Sequence, residues 1–244
     1  PGGAVDLLGK PHDWLCKDIL RLEDTADCGN SYFHVAAPDD KPISGADFRL
    51  IGRTVLRTQF LQRIELDYAA DLPEAYDFAA ERRTPERVEN RIRLALTLRK
   101  DTPWFEIEGV ALNRSRDHRL RLLIRAGIAS KRIQALTPFD VVERSNEGYS
   151  PKWDEGDRPH SGALCLSDGR RGLSIFAEGL PEYNHLEGSD GIVALTLVRS
   201  TGAIHNNRSV SPDHWMCPEN QCLREIDFRL ALYPHEGDMY GGNA

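Results

Sequence analysis

No apolar run in this chain approaches the ~18 residues that a bilayer-spanning helix requires, so no segment reads as a membrane span. Helical periodicity is equally scarce, because apolar residues recur at every second position far more often than at every third or fourth. Catalytic signatures are missing too. There is no Gly-x-Ser-x-Gly elbow, no P-loop and no dinucleotide-binding glycine pattern. A zinc centre takes three or four His, Cys or carboxylate ligands, usually with two at short spacing. The histidines here (His12, His34, His118, His160, His185, His205, His214 and His235) are scattered singly. Cys217-x4-Cys222 beside His214 is the one cluster, and its spacing fits no common site, so it reads as a packed loop. No metal and no cofactor are expected within this chain.

Cysteine is sparse and irregular. Cys16, Cys28, Cys165, Cys217 and Cys222 form an odd set without a repeating interval, which argues against a disulfide framework and for a reducing, cytoplasmic setting. Two sequons, at Asn113 and Asn207, would matter only in a secreted eukaryotic protein. Positive charge is in deficit. A formal net charge of −7 argues against a nucleic-acid partner despite local arginine-rich strands, so neutral or small partners are expected. The chain opens at Pro1 and enters Ala4–Leu8 in mid-strand, which reads as a fragment or a processed piece of a longer protein.

What is present is strand pattern. Two apolar runs, Leu173–Ala177 and Ile192–Val198, are closed by glycines and read as buried strands, in the simplest case the arms of one long hairpin. The stretch Gly179–Asn184 between them is too polar and broken to continue either. Arg91–Arg99 alternates most cleanly, with Ile92, Leu94, Leu96 and Leu98 on one face and arginines on the other. Asp47–Asp67 supplies two further strands. Trp104–Leu112, Arg119–Arg125, Ala163–Ser167 and Glu225–Tyr233 supply one each. Glu23–Tyr32 reads as a dense turn, Asp71–Arg87 as a proline-interrupted connection and Thr137–Pro159 as a long irregular segment. About ten strands with hardly a helix make an all-β sandwich, and 244 residues can form one such unit.

Candidate chemistry is thinner. Asp24, Asp27, Asp154, Glu155 and Asp157 could furnish the paired carboxylates of a glycosidase, or simply serve as turn residues and solvated loop charges. Asp117-His118 beside Arg116 and Arg119 reads as a fixed hydrogen-bonded corner or as a structural ion-pair cluster. Tyr32, Trp153 and Tyr183 are aromatics that either stack on a sugar ring or plug the ends of the sandwich. An epimerase-like activity would need a histidine and a glutamate to converge, from among His118, His160 and Glu182.

Five motifs occur in a familiar order. They are Asp24-Thr-Ala-Asp27-Cys-Gly29-Asn30-Ser-Tyr32, Asn113-Arg-Ser-Arg-Asp117-His118-Arg119-Leu120-Arg121, Gly179-Leu-Pro-Glu182-Tyr183, Ala194-Leu195-Thr196-Leu197-Val-Arg199-Ser200, and Pro218-Glu219-Asn-Gln221-Cys222. Together they resemble the C-terminal region of glycoside hydrolase family 38, the α-mannosidases and mannosylglycerate-type hydrolases. Cys28-Gly29-Asn30 departs from the commoner Gly-Asp pair of the acidic turn, and His214-Trp215-Met216-Cys217 departs from the usual small-residue approach to the last motif.

The resemblance implies a supersandwich like the galactose mutarotase fold, spanning 1–244 as a single C-terminal domain. It implies that the zinc, the nucleophile and the acid/base carboxylate of a retaining α-mannosidase belong to an N-terminal catalytic domain not contained here. This part would then be inactive alone and would serve as scaffold and substrate rim, with Tyr32, Asp27 and Asn30 at the saccharide. Asp117, His118, Arg119, Glu182, Tyr183, Arg199, Glu219 and Gln221 would be structural. The partners implied are a mannose-containing saccharide, the chain's own catalytic domain and a homo-oligomeric copy, with no nucleic acid and no membrane. The alternative is a stand-alone carbohydrate-binding module.

Overall fold

The computed structural model describes residues 5–9, 14–148, 156–186, 191–205 and 215–241. These residues form 21 strands, numbered here in chain order, and two short 3-10 turns, Gly45–Asp47 and Pro218–Gln221. A nine-stranded sheet runs in the order β13 (Val141–Ser145), β12 (Arg132–Leu136), β15 (Ala163–Ser167), β16 (Arg171–Glu178), β21 (Glu225–Glu236), β10 (Phe105–Leu112), β9 (Arg87–Arg99), β6 (Leu61–Pro73) and β5 (Arg49–Arg57). A six-stranded sheet has the order β14 (Asp157–Pro159), β17 (Glu182–His185), β18 (Ile192–Ser200), β11 (His118–Arg125), β3 (Leu20–Ala26) and β4 (Ile43–Ser44). Three two-stranded ribbons complete the set: β1 (Leu7–Gly9) with β2 (Trp14–Cys16), β7 (Tyr76–Asp77) with β8 (Arg82–Arg83), and β19 (Ala203–His205) with β20 (Trp215–Met216).

The sheets share one core. Leu22, Leu122 and Leu195 of the six-stranded sheet belong to the same buried cluster as Leu94, Ile107, Leu173 and Leu230 of the nine-stranded sheet. The all-β sandwich expected from the alternation is therefore what forms. Strands with one wet face were the easiest to place. On β9, Ile92, Leu94 and Leu96 are buried while Arg91, Arg93 and Arg99 are exposed. On β10, Phe105, Ile107 and Ala111 point inward, and Gly109 leaves room for Phe228. A Cβ at Gly109 would sit 2.0 Å from the Phe228 ring.

Several expectations change. β16 and β18 are not the arms of one hairpin, since they lie in different sheets and the chain crosses the sandwich between them. The crossing passes through Gly179, at φ 73°, and then enters β17, which pairs with β18 in the register Tyr183↔Leu195. Glu182–Asn184 looked too polar for a strand because its polar members face away from the core while Tyr183 faces into it. β3 continues through Asp24 and Thr25 to Ala26, where a turn was expected. The 71–87 connection is partly strand, as β6 runs on to Pro73 and the β7–β8 ribbon fills the gap. Within the long 137–159 segment lie β13 and β14, whereas Trp153, Asp154 and Glu155 fall outside the described residues.

His185 on β17 is 1% exposed, and burial pushes its imidazole down to about 4. Its folded pKa therefore lies below the ordinary value near 6.5, so the protonated form disfavours the fold. Stability should be complete above about pH 6.5 and fall by a few kcal/mol as the pH drops toward 4. Urea denaturation of the parent and of His185→Gln across that range checks this, with the parent's slope expected to flatten in the variant.

Candidate functional site

At one end of the six-stranded sheet, β3 runs out at Ala26 into a turn built almost wholly from its own polar groups. Asp27 is fully buried. Its Oδ1 accepts the Gly29 N–H at 2.8 Å and the Val35 N–H at 3.3 Å, and its Oδ2 accepts Arg199 Nε at 2.8 Å. Asn30, 8% exposed, closes the tip, where its Oδ1 accepts the backbone N–H groups of Tyr32 at 2.8 Å and Phe33 at 3.1 Å. Such side-chain-to-backbone bonds are why Asp and Asn define tight turns. Gly29 has no substitute here, because a Cβ would lie 1.9 Å from the Phe33 carbonyl oxygen.

Arg199 reaches from β18 to clamp the turn from below. Besides Asp27, its Nη2 donates to the Asn30 carbonyl at 2.5 Å. Thr201 Oγ1 donates to the Gly29 carbonyl at 3.2 Å, and Ser31 bonds Ala203 and Ile204 through its N–H and hydroxyl. What this scaffold presents is aromatic. Tyr32 and Phe33 are 66% and 65% exposed, with ring centroids 6.4 Å apart. Of the three residues nominated for saccharide contact, Tyr32 faces solvent, while Asp27 and Asn30 are buried and spend these bonds holding it there.

Beneath the turn lies a buried polar cluster. Asp24 has no exposure, and its oxygens meet His118 Nδ1 at 2.5 Å and Arg83 Nη1 at 2.6 Å. His118 Nε2 faces Asn113 Oδ1 at 2.8 Å. The Asn113 amide orientation is fixed independently, since its Nδ2 donates to Ser200 Oγ and the Gln221 carbonyl while its Oδ1 accepts the Ser115 N–H. Both ring nitrogens of His118 therefore face oxygen atoms. Asp117, at φ 52°, accepts Gln221 Nε2 at 2.9 Å and donates its N–H to Gln221 Oε1 at 2.9 Å, while its carbonyl accepts the Asp27 N–H. The Asp117-His118 corner is thus hydrogen-bonded throughout and tied directly to the turn. Glu219, by contrast, is exposed and closes the short 218–221 turn through its carbonyl.

The face of β11 turned away from the core is polar yet covered. Arg119 and Arg121 are 4% and 8% exposed. Arg119 Nη1 donates to Asp157 Oδ2 at 2.6 Å, Asn184 Nδ2 donates to Asp157 Oδ1 at 3.0 Å, and Arg121 pairs with Glu23. Burial lowers the Arg119 pKa, and Asp157, Glu182 and Asp27 oppose that effect. Glu182 accepts the Thr196 hydroxyl at 2.6 Å. Tyr183 packs inward, edge-on to His160, with its hydroxyl 3.4 Å from Arg144 Nη1.

Asp24, Asp27 and Asp157, the described carboxylates among the glycosidase candidates, are therefore each engaged by a cation rather than poised across a cleft. His118, His160 and Glu182 do not converge, since His118 bonds Asp24 and Asn113, His160 bonds Gly162, and Glu182 bonds Thr196. Among the described residues, no group of three or more His, Cys, Asp or Glu side chains is placed to hold a metal ion. Sequence reasoning missed Arg83, whose stretch carries no periodic signal, and Phe33, which is simply the next residue after Tyr32.

The family described as "Glycosyl hydrolases family 38 C-terminal domain" matches residues 61–213. A protein of Halalkalibacterium halodurans named "Putative mannosylglycerate hydrolase" is 25% identical over 99% of the chain. An α-mannosidase structure from Enterococcus faecalis superposes with a TM-score of 0.86 at 25% identity over 96% of the chain. A second structure from that organism, described as a protein in glycosyl hydrolase family 38, superposes at 0.81 with 24% identity over 92% of the chain. The chain spans only 28% of the Halalkalibacterium protein and of the first structure, and 27% of the second.

Replacing Asp117 by alanine would leave the buried Gln221 amide without its carboxylate and put a residue without that anchor in the left-handed region. A loss of about 1–3 kcal/mol is expected in chemical denaturation, with Asp117→Asn closer to the parent. Parent-like stability of Asp117→Ala would show that the corner contributes nothing.

Proposed function

Because the chain belongs to glycosyl hydrolase family 38 as a C-terminal domain, we propose that residues 1–244 form one β-sandwich unit of an α-mannosidase-like hydrolase. Its task is to carry part of the substrate rim. The observation behind this reading is the turn at 27–35: a rigid, buried polar frame whose outward product is an exposed tyrosine beside an exposed phenylalanine. An aromatic held by a preordered backbone offers a flat apolar face to a pyranose ring with little entropy to lose. Arg199, Asp27 and Asn30 act by positioning Tyr32.

Hydrolysis itself is assigned to a part of the enzyme that this chain does not contain. Among the described residues no metal-ligand group is present, and the glycosidase candidates Asp24, Asp27 and Asp157 are each paired with an arginine. Zinc, nucleophile and acid/base carboxylate then belong to the catalytic domain, and 1–244 alone is inactive toward mannosides. The partners in this reading are a mannose-containing saccharide, the chain's own catalytic domain and a further copy in a homo-oligomer. The setting is cytoplasmic, in keeping with the free thiols of Cys165, Cys217 and Cys222.

In the full-length enzyme, Tyr32→Ala should lower kcat/KM for a mannoside by about tenfold through loss of one aromatic contact, with the melting temperature unchanged. Parent-like kinetics would remove Tyr32 from the rim.

A further inference from the structure

The outer face of the nine-stranded sheet carries a trough of about 940 Å³, lined by residues other than those of the 27–35 turn. It runs on into a second hollow of about 690 Å³ that shares Glu108, Glu178 and Arg229. Strand register explains its shape. Phe176, Ala231 and Glu106 lie side by side on β16, β21 and β10, and Glu178, Arg229 and Glu108 form the next row. Side chains on alternate residues share a face, so both rows stand on the outer surface. Long side chains rise around the small ones, Ala231 and Ala95, and leave a trough between them.

The electrostatics are nearly compensated. Arg63 Nη1 donates to Glu108 at 2.9 Å, Arg99 bonds Glu106 at 3.2 Å, and Arg229 Nε lies 3.9 Å from Glu108. A face of alternating, mutually paired carboxylates and guanidiniums favours neither an anion nor a cation. It does offer closely spaced acceptors and donors, which is what vicinal hydroxyl groups take up. At one end Phe176, 43% exposed, presents an aromatic face of the kind that packs against sugar C–H groups. His160 lines the same end. It is 6% exposed, and its Nδ1 accepts the Gly162 N–H at 3.1 Å.

We propose that this trough is a second saccharide-binding site, taking a short neutral oligosaccharide with a pyranose on Phe176 and hydroxyls on Glu106, Glu178 and Arg229. It is independent of the rim reading, because it shares no residue with the 27–35 turn.

The test is saturation-transfer NMR on the 1–244 chain with α-mannobiose, and with cellobiose as a second neutral probe. Saturable binding of at least one probe is expected, weakened about tenfold or more by Phe176→Ala and by Glu178→Gln. Phe139→Ala, at an exposed residue outside both the trough and the turn, should leave it unchanged, and all three variants should melt with the parent. The proposal is overturned if neither probe binds at concentrations well above millimolar. It is equally overturned if binding survives both trough substitutions. Repeated on the Tyr32→Ala form, the same titration reads the trough without the rim aromatic, so failure of the trough and failure of the rim give different patterns.

Discussion

Asp24 is the carboxylate on which the polar end of the six-stranded sheet depends. It projects into the inner face of the six-stranded sheet with no exposure, and an isolated charge there would cost several kcal/mol. Arg83 compensates it and His118 hydrogen-bonds it, and each brings further structure. Arg83 also holds Asp40, whose carboxylate accepts the Ala26 N–H, and His118 holds Asn113, which fastens Ser200 and the Gln221 carbonyl. Strands distant in sequence are thereby fixed against one another by directional bonds rather than by apolar contact alone. Apolar packing tolerates sliding, whereas a buried charge with several partners admits one arrangement.

That fixity is passed on to the surface. Asp117 and Gln221 connect the buried cluster to Asp27, and Arg199 connects Asp27 to Asn30. The turn these residues shape has its aromatic tip in solvent but each backbone N–H from Asp27 to Phe33 hydrogen-bonded. A loop supported in this way can hold an aromatic ring in a set place for a ligand, which a freely moving loop cannot do without losing affinity to ordering. In the proposed reading scaffold and rim are one device, with the buried charges serving recognition by restricting motion. The outer trough of the nine-stranded sheet is built on different physics, from cross-strand pairs at solvent, and needs no buried charge.

The fold was readable wherever one side of a strand is wet. β9, β10 and β21 announce themselves by alternation because water and core impose opposite chemistry on successive residues. It was unreadable where polar side chains are satisfied from afar. Asp24 looked like part of a turn because its partners, Arg83 and His118, lie 59 and 94 residues along the chain. Glu182–Asn184 looked like a loop because Glu182 and Asn184 find Thr196 and Asp157. The crossing from β16 to β18 was hidden for a different reason: two apolar runs separated by a polar stretch look alike whether they pair with each other or face each other across a core. The site divides similarly. Tyr32 came from resemblance to the family, the Asp117-His118 corner from local composition, and Phe33, Arg83 and the Phe176 trough only from the structure.

The central claim is that this chain supplies scaffold and recognition while hydrolysis resides elsewhere in the enzyme. The most direct test is to assay purified residues 1–244 with an aryl α-mannoside in the presence of zinc and to determine bound metal on the same sample. No turnover and no stoichiometric zinc is the result this account predicts. Turnover accompanied by one zinc per chain would contradict it and would place a complete active site among these residues.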